Sequence, residues 1–145
     1  MVDAARVESV PCLAALSPAV RSSLADAFDE VVVPAEQIVA TEGDFAYELF
    51  AVLEGTARVE QDGAVLAKLG PGDLFGEVGL LLTGRRTASV VSESPMVLLT
   101  LFDRSFRELS KDHPDFVDVV REQCRGRFTG PAAGAPSGGG GTLEA

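Results

Sequence analysis

The stretch FGEVGLLLTGRRTASV, residues 75–90, interrupts a region of short β-strand patterns with glycines, one acid and two adjacent arginines. A helical turn that begins at Gly76 would leave the backbone N–H groups of Gly76, Glu77 and Val78 without partners inside the helix. N–H groups at the positive end of a helix dipole attract an anion, and a glycine, which has no Cβ, lets that anion approach closely. The stretch therefore predicts an anion-binding site.

Two charged side chains in this stretch indicate which anion would bind. Arg86 can return across the turn and offer a planar, permanently charged guanidinium to a phosphate. A carboxylate at Glu77 suits an anion site only when the same ligand also presents a hydroxyl group. The pair predicts a ligand with one phosphate and one nearby sugar hydroxyl, which describes a nucleotide. Arg85 is interpreted as a solvated side chain that adds only long-range attraction for the phosphate.

The composition is that of one soluble globular domain, with 145 residues, 46% of them hydrophobic and 23% charged. A formal net charge of -10 would repel a phosphate backbone, so we expect no nucleic-acid binding by this chain alone. No apolar run approaches the roughly 18 residues of a membrane span, so we expect no membrane contact by this chain alone. The first residues do not resemble a signal peptide, which favours a cytoplasmic location. Cys12 and Cys124 make neither a disulfide framework nor a metal set.

Helical and β patterns follow one another along the chain. Near the start, Ser17 and Pro18 have the character of a helix N-cap and a first helical residue. Residues 31–102 contain short β-rich runs separated by glycine, proline and aspartate, and the Asp62-Gly63 pair predicts a tight hairpin turn. Two further helical patterns follow.

The pattern divides the chain into three parts. We expect a separate N-terminal segment over residues 1–10 and one domain over residues 11–128. Residues 129–145, rich in glycine, proline and alanine, predict a flexible tail or linker.

The stretch around Arg86 resembles the phosphate-binding cassette of cyclic nucleotide-binding domains, whose pattern is roughly F-G-E-x-(A/G)-L followed by R-(T/S/A)-A. The residues that match this pattern are Phe75, Gly76, Glu77, Gly79, Leu80, Arg86, Thr87 and Ala88. The resemblance extends to TEGDFAYELFAVLEGTARV (41–59) and LGPGDLFGE (69–77), and in all it spans about residues 11–128. One departure is VPAEQI (33–38), where Ala35 or Glu36 must turn without the usual glycine.

The resemblance implies a mainly β fold with flanking helices. The expected architecture is an eight-stranded antiparallel β-roll, which is a jelly-roll arrangement, with an N-terminal helix before it and two C-terminal helices after it. A short cassette helix would lie inside the roll.

The resemblance also implies roles for particular residues. Glu77 would hold the ribose 2′-hydroxyl and Arg86 the phosphate oxygens, with backbone amides near Gly76, Glu77, Arg86 and Thr87 completing the cradle. Arg121 and Arg125 on the last helix are the candidates for a cap over the base. The ligand-binding residues predicted in this way are Phe75, Gly76, Glu77, Val78, Arg86, Thr87 and Ala88.

The function that the resemblance implies is regulatory rather than catalytic. The expected ligand is cAMP, with cGMP as the alternative, and we expect neither a metal ion nor catalytic residues. Binding would close the C-terminal helices and control an attached or partner effector, such as a channel, transporter or enzyme, or a second copy of the chain. The alternative is a degenerate β-roll that binds no nucleotide and serves as a scaffold for protein contacts.

Overall fold

The structure is a computed structural model that describes residues 1–76 and 84–128, the last five of them for the backbone alone. The cassette segment from Glu77 to Thr83 and the tail 129–145 lie outside the described residues. None of the described helices is long and apolar enough to cross a bilayer. In chain order the elements are α1 (Ala4–Glu8), α2 (Pro11–Ala14), α3 (Pro18–Ala27), β1 (Asp29–Val33), β2 (Ile38–Ala40), β3 (Glu48–Glu54), β4 (Ala57–Gln61), β5 (Ala64–Leu69), β6 (Leu74–Phe75), β7 (Ser89–Ser92), β8 (Met96–Phe102), α4 (Asp103–Asp112) and α5 (Pro114–Phe128).

The eight strands form two antiparallel sheets of four strands each. One sheet has the order β1-β8-β3-β6 and the other has the order β2-β7-β4-β5. This arrangement, with helices before and after it, confirms the predicted antiparallel β-roll. Strand β6 has only two residues, Leu74 and Phe75, and it pairs with Ala51 and Phe50 of β3. A strand of this length is too short to show a β pattern in the sequence.

Two turns of the roll depend on residues with positive φ. Asp62 and Gly63 have φ values of 52° and 81°, the signs that a two-residue type I′ hairpin requires. They join β4 to β5, so the hairpin predicted at this pair is confirmed. Before β2, Glu36 turns the chain with a φ of 57°, as expected where the usual glycine is missing. Its N–H donates to the carbonyl oxygen of Ser92 at 2.8 Å, which holds the turn against β7.

We call the sheet β1-β8-β3-β6 the shared sheet, because its strands β8, β3 and β6 are buried on both faces, whereas β1 is exposed except at Val33. Side chains alternate across a strand, so Leu49 and Ala51 of β3 face the helices while Phe50 and Val52 face the second sheet. The two faces belong to two hydrophobic clusters. The helical cluster includes Val7, Leu13, Leu24, Leu49, Leu99, Leu101, Phe106, Phe116 and Val120. The roll cluster includes Val33, Phe50, Val52, Val59, Leu69, Phe75, Ala88, Val90 and Leu98.

The helices pack on the outer face of the shared sheet. In α3, the Ser17 side chain accepts a hydrogen bond from the N–H of Val20 at 3.4 Å, so the N-cap predicted there forms. Val7 and Val10 lie in the segment that we separated from the domain, and both are fully buried in the helical cluster. Residues 1–10 therefore contribute to the same core as the rest of the chain.

Candidate functional site

The segment that carries Arg86 pairs with the loop between β2 and β3. The N–H of Gly43 donates to the carbonyl oxygen of Arg86 at 2.9 Å, and the N–H of Arg86 donates to that of Asp44 at 2.7 Å. The N–H of Ala46 donates to Gly84 at 2.9 Å, which continues the same antiparallel pairing. These bonds fix the position of the Arg86 backbone, from which the side chain extends. They also occupy the amide of Arg86, which the sequence suggested for the phosphate cradle, and the cradle itself stays a prediction.

The guanidinium of Arg86 lies inside the roll, and the residue is only 4% exposed. Its Nη2 atom donates to the backbone carbonyl oxygen of Glu48 at 2.9 Å and to the Glu48 carboxylate at 3.3 Å. Its Nη1 atom donates to the carbonyl oxygen of Gly76 at 3.5 Å. The guanidinium carbon lies 5.4 Å from the centre of the Phe50 ring, within reach of a cation–π contact. The charge is therefore held by Glu48 and the ring of Phe50, both in β3, and by Gly76 just after β6.

Gly76 gives Arg86 the space that it occupies. Its φ is +99°, a conformation that residues with a Cβ rarely adopt. A Cβ built at Gly76 would lie 2.7 Å from Nη1 of Arg86 and 2.7 Å from the carbonyl oxygen of Glu48. The structure thus shows the Arg86 side chain close to Gly76, and the close approach of an anion to this glycine stays a prediction.

Burial governs the electrostatics of Arg86. Removal of water from around the guanidinium lowers the pKa of Arg86 below its ordinary value, while the charge and the hydrogen bond of Glu48 act in the opposite direction. An arginine keeps its proton at neutral pH in spite of such a shift. A desolvated positive charge that meets one carboxylate among the described residues can bind an anion.

A cleft of about 380 Å³ opens beside Arg86 on the side of the β2–β3 loop. The residues that line it include Val39, Tyr47, Glu48 and the two arginines, Arg85 and Arg86. A second, apolar groove of about 390 Å³ between β1 and β2 shares Val39 and Glu48 with it. Glu48 therefore lies where the two openings meet.

Arg85 and Arg86 occupy different environments although they are adjacent. Arg85 is exposed, as expected, but it also donates from Nη1 to the carbonyl oxygen of Gly43 at 2.9 Å. Its guanidinium carbon lies 4.2 Å from the centre of the Phe45 ring. Arg85 thus contacts the β2–β3 loop at the surface, whereas Arg86 lies inside the roll.

The other predicted site residues lie at different depths. Phe75 and Ala88 are fully buried in the roll cluster, and the Phe75 ring stacks on Phe50 with 4.7 Å between ring centres. Both side chains pack below the site and shape it from within the core. Thr87 is half-buried, and its carbonyl oxygen accepts a hydrogen bond from Gln61 Nε2 at 2.8 Å.

The remaining predicted residues are only partly covered by the structure. Arg121 is exposed on α5, whose residues Phe116 and Val120 are buried in the helical cluster. The side chain of Arg125 lies outside the described part of that helix. Glu77 and Val78 also lie outside the described residues, so their roles stay predictions.

Glu48 is the residue that the sequence reasoning missed. A signal for it exists in the run ELFAVLE, residues 48–54, because alternation places Glu48 on the same face as Phe50 and Val52. A carboxylate in register with core side chains needs a buried partner, since an unpaired charge there is costly. Arg86 is that partner.

Comparisons with known proteins bear on the family to which the chain belongs. The family model of the cyclic nucleotide-binding domain matches residues 30–113, which include the stretch that carried the resemblance. The cAMP-dependent protein kinase regulatory subunit of Schizosaccharomyces pombe is 32% identical over 123 residues, covering 84% of this chain and 29% of that protein. A cyclic nucleotide-gated potassium channel of Mesorhizobium japonicum is 32% identical over 129 residues, covering 89% of this chain and 36% of that protein. The chain thus spans roughly a third of the length of these curated relatives.

A solved structure shows the same likeness in three dimensions. The catabolite activator protein of Thermus thermophilus superposes with a TM-score of 0.66 at 30% sequence identity. The match covers 80% of this chain and 55% of that one.

Proposed function

Because this chain belongs to the cyclic nucleotide-binding domain family, we propose that it is a regulatory sensor, with cAMP the expected ligand and cGMP the alternative. The observation that carries the proposal is the Arg86 guanidinium, buried in the roll and met by one carboxylate among the described residues. A phosphodiester would pair with this desolvated cation through short charge-assisted hydrogen bonds. The role is regulatory, and a cytoplasmic location stays part of the proposal.

The proposed binding roles follow the family pattern. Arg86 holds the phosphate oxygens, and Glu77 holds the ribose 2′-hydroxyl. Support for this assignment comes from the position of Gly76, the residue before Glu77, whose carbonyl oxygen already contacts Arg86. Arg121 and Arg125 remain the proposed candidates for contacts with the base.

The shared sheet offers a route from this site to the helices. Strand β6 ends at Phe75, just before Gly76, and its two residues face opposite cores, with Phe75 in the roll cluster and Leu74 in the helical cluster. Helix α5 contacts β6 directly. A ligand that draws the cassette toward Arg86 would therefore pull on the surface that α5 packs against. We propose that binding shifts the population toward a closed position of the C-terminal helices.

The effector is proposed from the relatives. One of them is named as the regulatory subunit of a kinase and the other as a potassium channel, and each is about three times as long as the matched region. We propose that this chain likewise acts on an enzyme, channel or transporter, either attached to it or bound as a partner, or on a second copy of itself.

A specific observation also favours the alternative function, a scaffold that binds no nucleotide. Glu48 already neutralises Arg86 within the chain, and an arginine satisfied in this way can serve the fold alone. The two functions differ in what they predict for a direct binding measurement.

The test is a calorimetric titration of the purified chain with cAMP and cGMP, with 5′-AMP as the matched control ligand. A sensor binds a cyclic nucleotide with a defined stoichiometry of one and binds 5′-AMP far more weakly. In a parallel thermal melt, ligand at about 100 times its Kd should stabilise the fold by about 2.7 kcal/mol, which corresponds to a rise in Tm on the order of 10 °C. Absence of heat and of any Tm shift with both cyclic nucleotides would favour the scaffold.

A further inference from the structure

The contacts of Nη2 in Arg86 raise a question about how a phosphodiester can reach it. This atom carries two N–H groups, and the two acceptors that it meets among the described residues both belong to Glu48, one the backbone carbonyl and one the carboxylate. A phosphate that engages the guanidinium through two parallel bonds needs donors on two of its nitrogen atoms. The ligand must therefore share Nη2 with Glu48 or displace one of its two acceptors.

The two acceptors of Glu48 differ in how easily they can move. Its carbonyl oxygen belongs to β3, which is held by pairing with β8 at Glu48 and Phe102. Its carboxylate sits at the end of a side chain that is 31% exposed and lines the open cleft. The carboxylate contact, at 3.3 Å, is longer than the 2.7–2.9 Å usual for a charge-assisted bond, whereas the carbonyl contact is 2.9 Å. The carboxylate is thus the replaceable partner, and the carbonyl is the fixed one.

We propose that the Glu48 carboxylate competes with the nucleotide phosphate for Arg86 and thereby sets the affinity of the site. The inference rests on the proposed function, because it concerns the same phosphate-binding arginine. Two negative groups beside one guanidinium repel each other. Binding therefore requires the carboxylate to swing away into the cleft, while the Glu48 carbonyl continues to hold Arg86 in place. Glu48 keeps the site from binding its ligand as tightly as Arg86 alone would allow.

The test compares Glu48→Gln with the wild-type chain in calorimetric titrations with cAMP. Glutamine has the same shape and its amide oxygen can still accept from Nη2, but it carries no charge. We expect the Kd for cAMP to fall about tenfold, because the like-charge repulsion across the site is gone. Glu48→Asp, which keeps the charge but withdraws it by one methylene, should bind with an affinity between the two.

The matched control is Glu54→Gln at the other end of the same strand. Glu54 is exposed and lies six residues away, roughly 20 Å along β3, which is beyond the screening length of about 8 Å at physiological salt. Its substitution should leave the Kd unchanged. A second control is titration with adenosine, which has no phosphate, and its affinity should not respond to Glu48→Gln.

The outcomes separate the inference from the function on which it rests. If the wild-type chain binds cAMP and Glu48→Gln binds it equally or more weakly, the competition is refuted while the sensor function stands. If neither the wild type nor Glu48→Gln binds a cyclic nucleotide, the sensor function is refuted and the inference with it. Tighter binding by Glu48→Gln, with Glu54→Gln and adenosine unaffected, supports the inference.

Discussion

Arg58 lies in strand β4 of the second sheet, and Arg86 lies just before strand β7 of the same sheet. Their side chains nevertheless lie in opposite environments. Arg58 projects from the outer face of β4 and is surrounded by three carboxylates, those of Glu36, Glu60 and Glu93. Its hydrogen bond to Glu60 is the main reason that the pKa of Arg58 is raised. Arg86 lies inside the roll, where burial lowers its pKa.

We infer from this difference that the arginine with more carboxylate partners is the poorer site for an anionic ligand. The charge of Arg58 is already more than balanced by its neighbours, and its side chain, 25% exposed, is also solvated. Arg86 has given up its water and meets one carboxylate among the described residues, so it has more to gain from an anion. Each of the following predictions tests this contrast between Arg58 and Arg86.

The largest expected effect is that of Arg86→Ala on nucleotide binding. Loss of a buried charged partner costs about 2–5 kcal/mol, so we expect the Kd for cAMP to rise roughly 30- to 4,000-fold. Calorimetry measures the change, and circular dichroism checks that the fold persists. The control is Arg85→Ala, which removes the same charge one residue away and should change the Kd little at moderate salt. Equal Kd values for Arg86→Ala and the wild type would refute the assignment of Arg86 as the phosphate-binding residue.

A smaller effect, on the unfolding free energy, is expected from Gly76→Ala, which would place a methyl group in the space that the Arg86 side chain occupies. The new Cβ would meet the Glu48 backbone and Nη1 of Arg86 at 2.7 Å, in a residue whose φ is +99°. We expect a loss of about 2–3 kcal/mol in unfolding free energy, since overpacking and a strained φ each contribute. Gly63→Ala is the control, because it has a φ of +81° but nothing within 4 Å of its Cβ. Urea denaturation should find that Gly63→Ala is the milder of the two, and the reverse order would contradict the crowding at Gly76.

The smallest effect is expected from Arg58→Ala. Ion pairs near the surface contribute about 0–1 kcal/mol and are screened by salt. The unfolding free energy should therefore fall only slightly, and by less in high salt. The Kd for cAMP should not change. If Arg58→Ala weakened binding as much as Arg86→Ala, the contrast between the two arginines would be lost.

Much of the fold could be predicted because it is encoded in local patterns. The Asp62-Gly63 pair has the two positive φ values of its turn, and the cap at Ser17 forms with Val20. Strand β6 was not predicted, since two residues are too few to alternate. The burial of Val7 and Val10 was not predicted either, because a single helical turn in α1 shows little periodicity and gains its stability from packing on α3.

The contacts around Arg86 follow from the sequence where the residues are close along the chain, and they depend on the fold where the residues are distant. Gly76 and Arg86 stand in one short motif, and the structure brings them into contact. Glu48 precedes Arg86 by 38 residues and reaches it only through the fold. The bonds between Gly43, Asp44 and the Arg86 backbone are likewise long-range, and they explain why the Arg86 amide is occupied.

Strands β3, β6 and β8 of the shared sheet are buried on both faces, and the helices cover one of those faces. The smallest fragment of this chain that could fold alone must therefore include these helices. A fragment cut to the family match, residues 30–113, would lack α1–α3 and α5 and would leave Leu49, Leu99 and Leu101 facing water. Each exposed leucine forfeits about 1.5–3 kcal/mol of burial, and the whole fold of a typical domain is stable by only about 5–15 kcal/mol. Truncations for expression or for fusion to a reporter should therefore retain every residue from Val7 to Val120, the outermost fully buried members of the helical cluster.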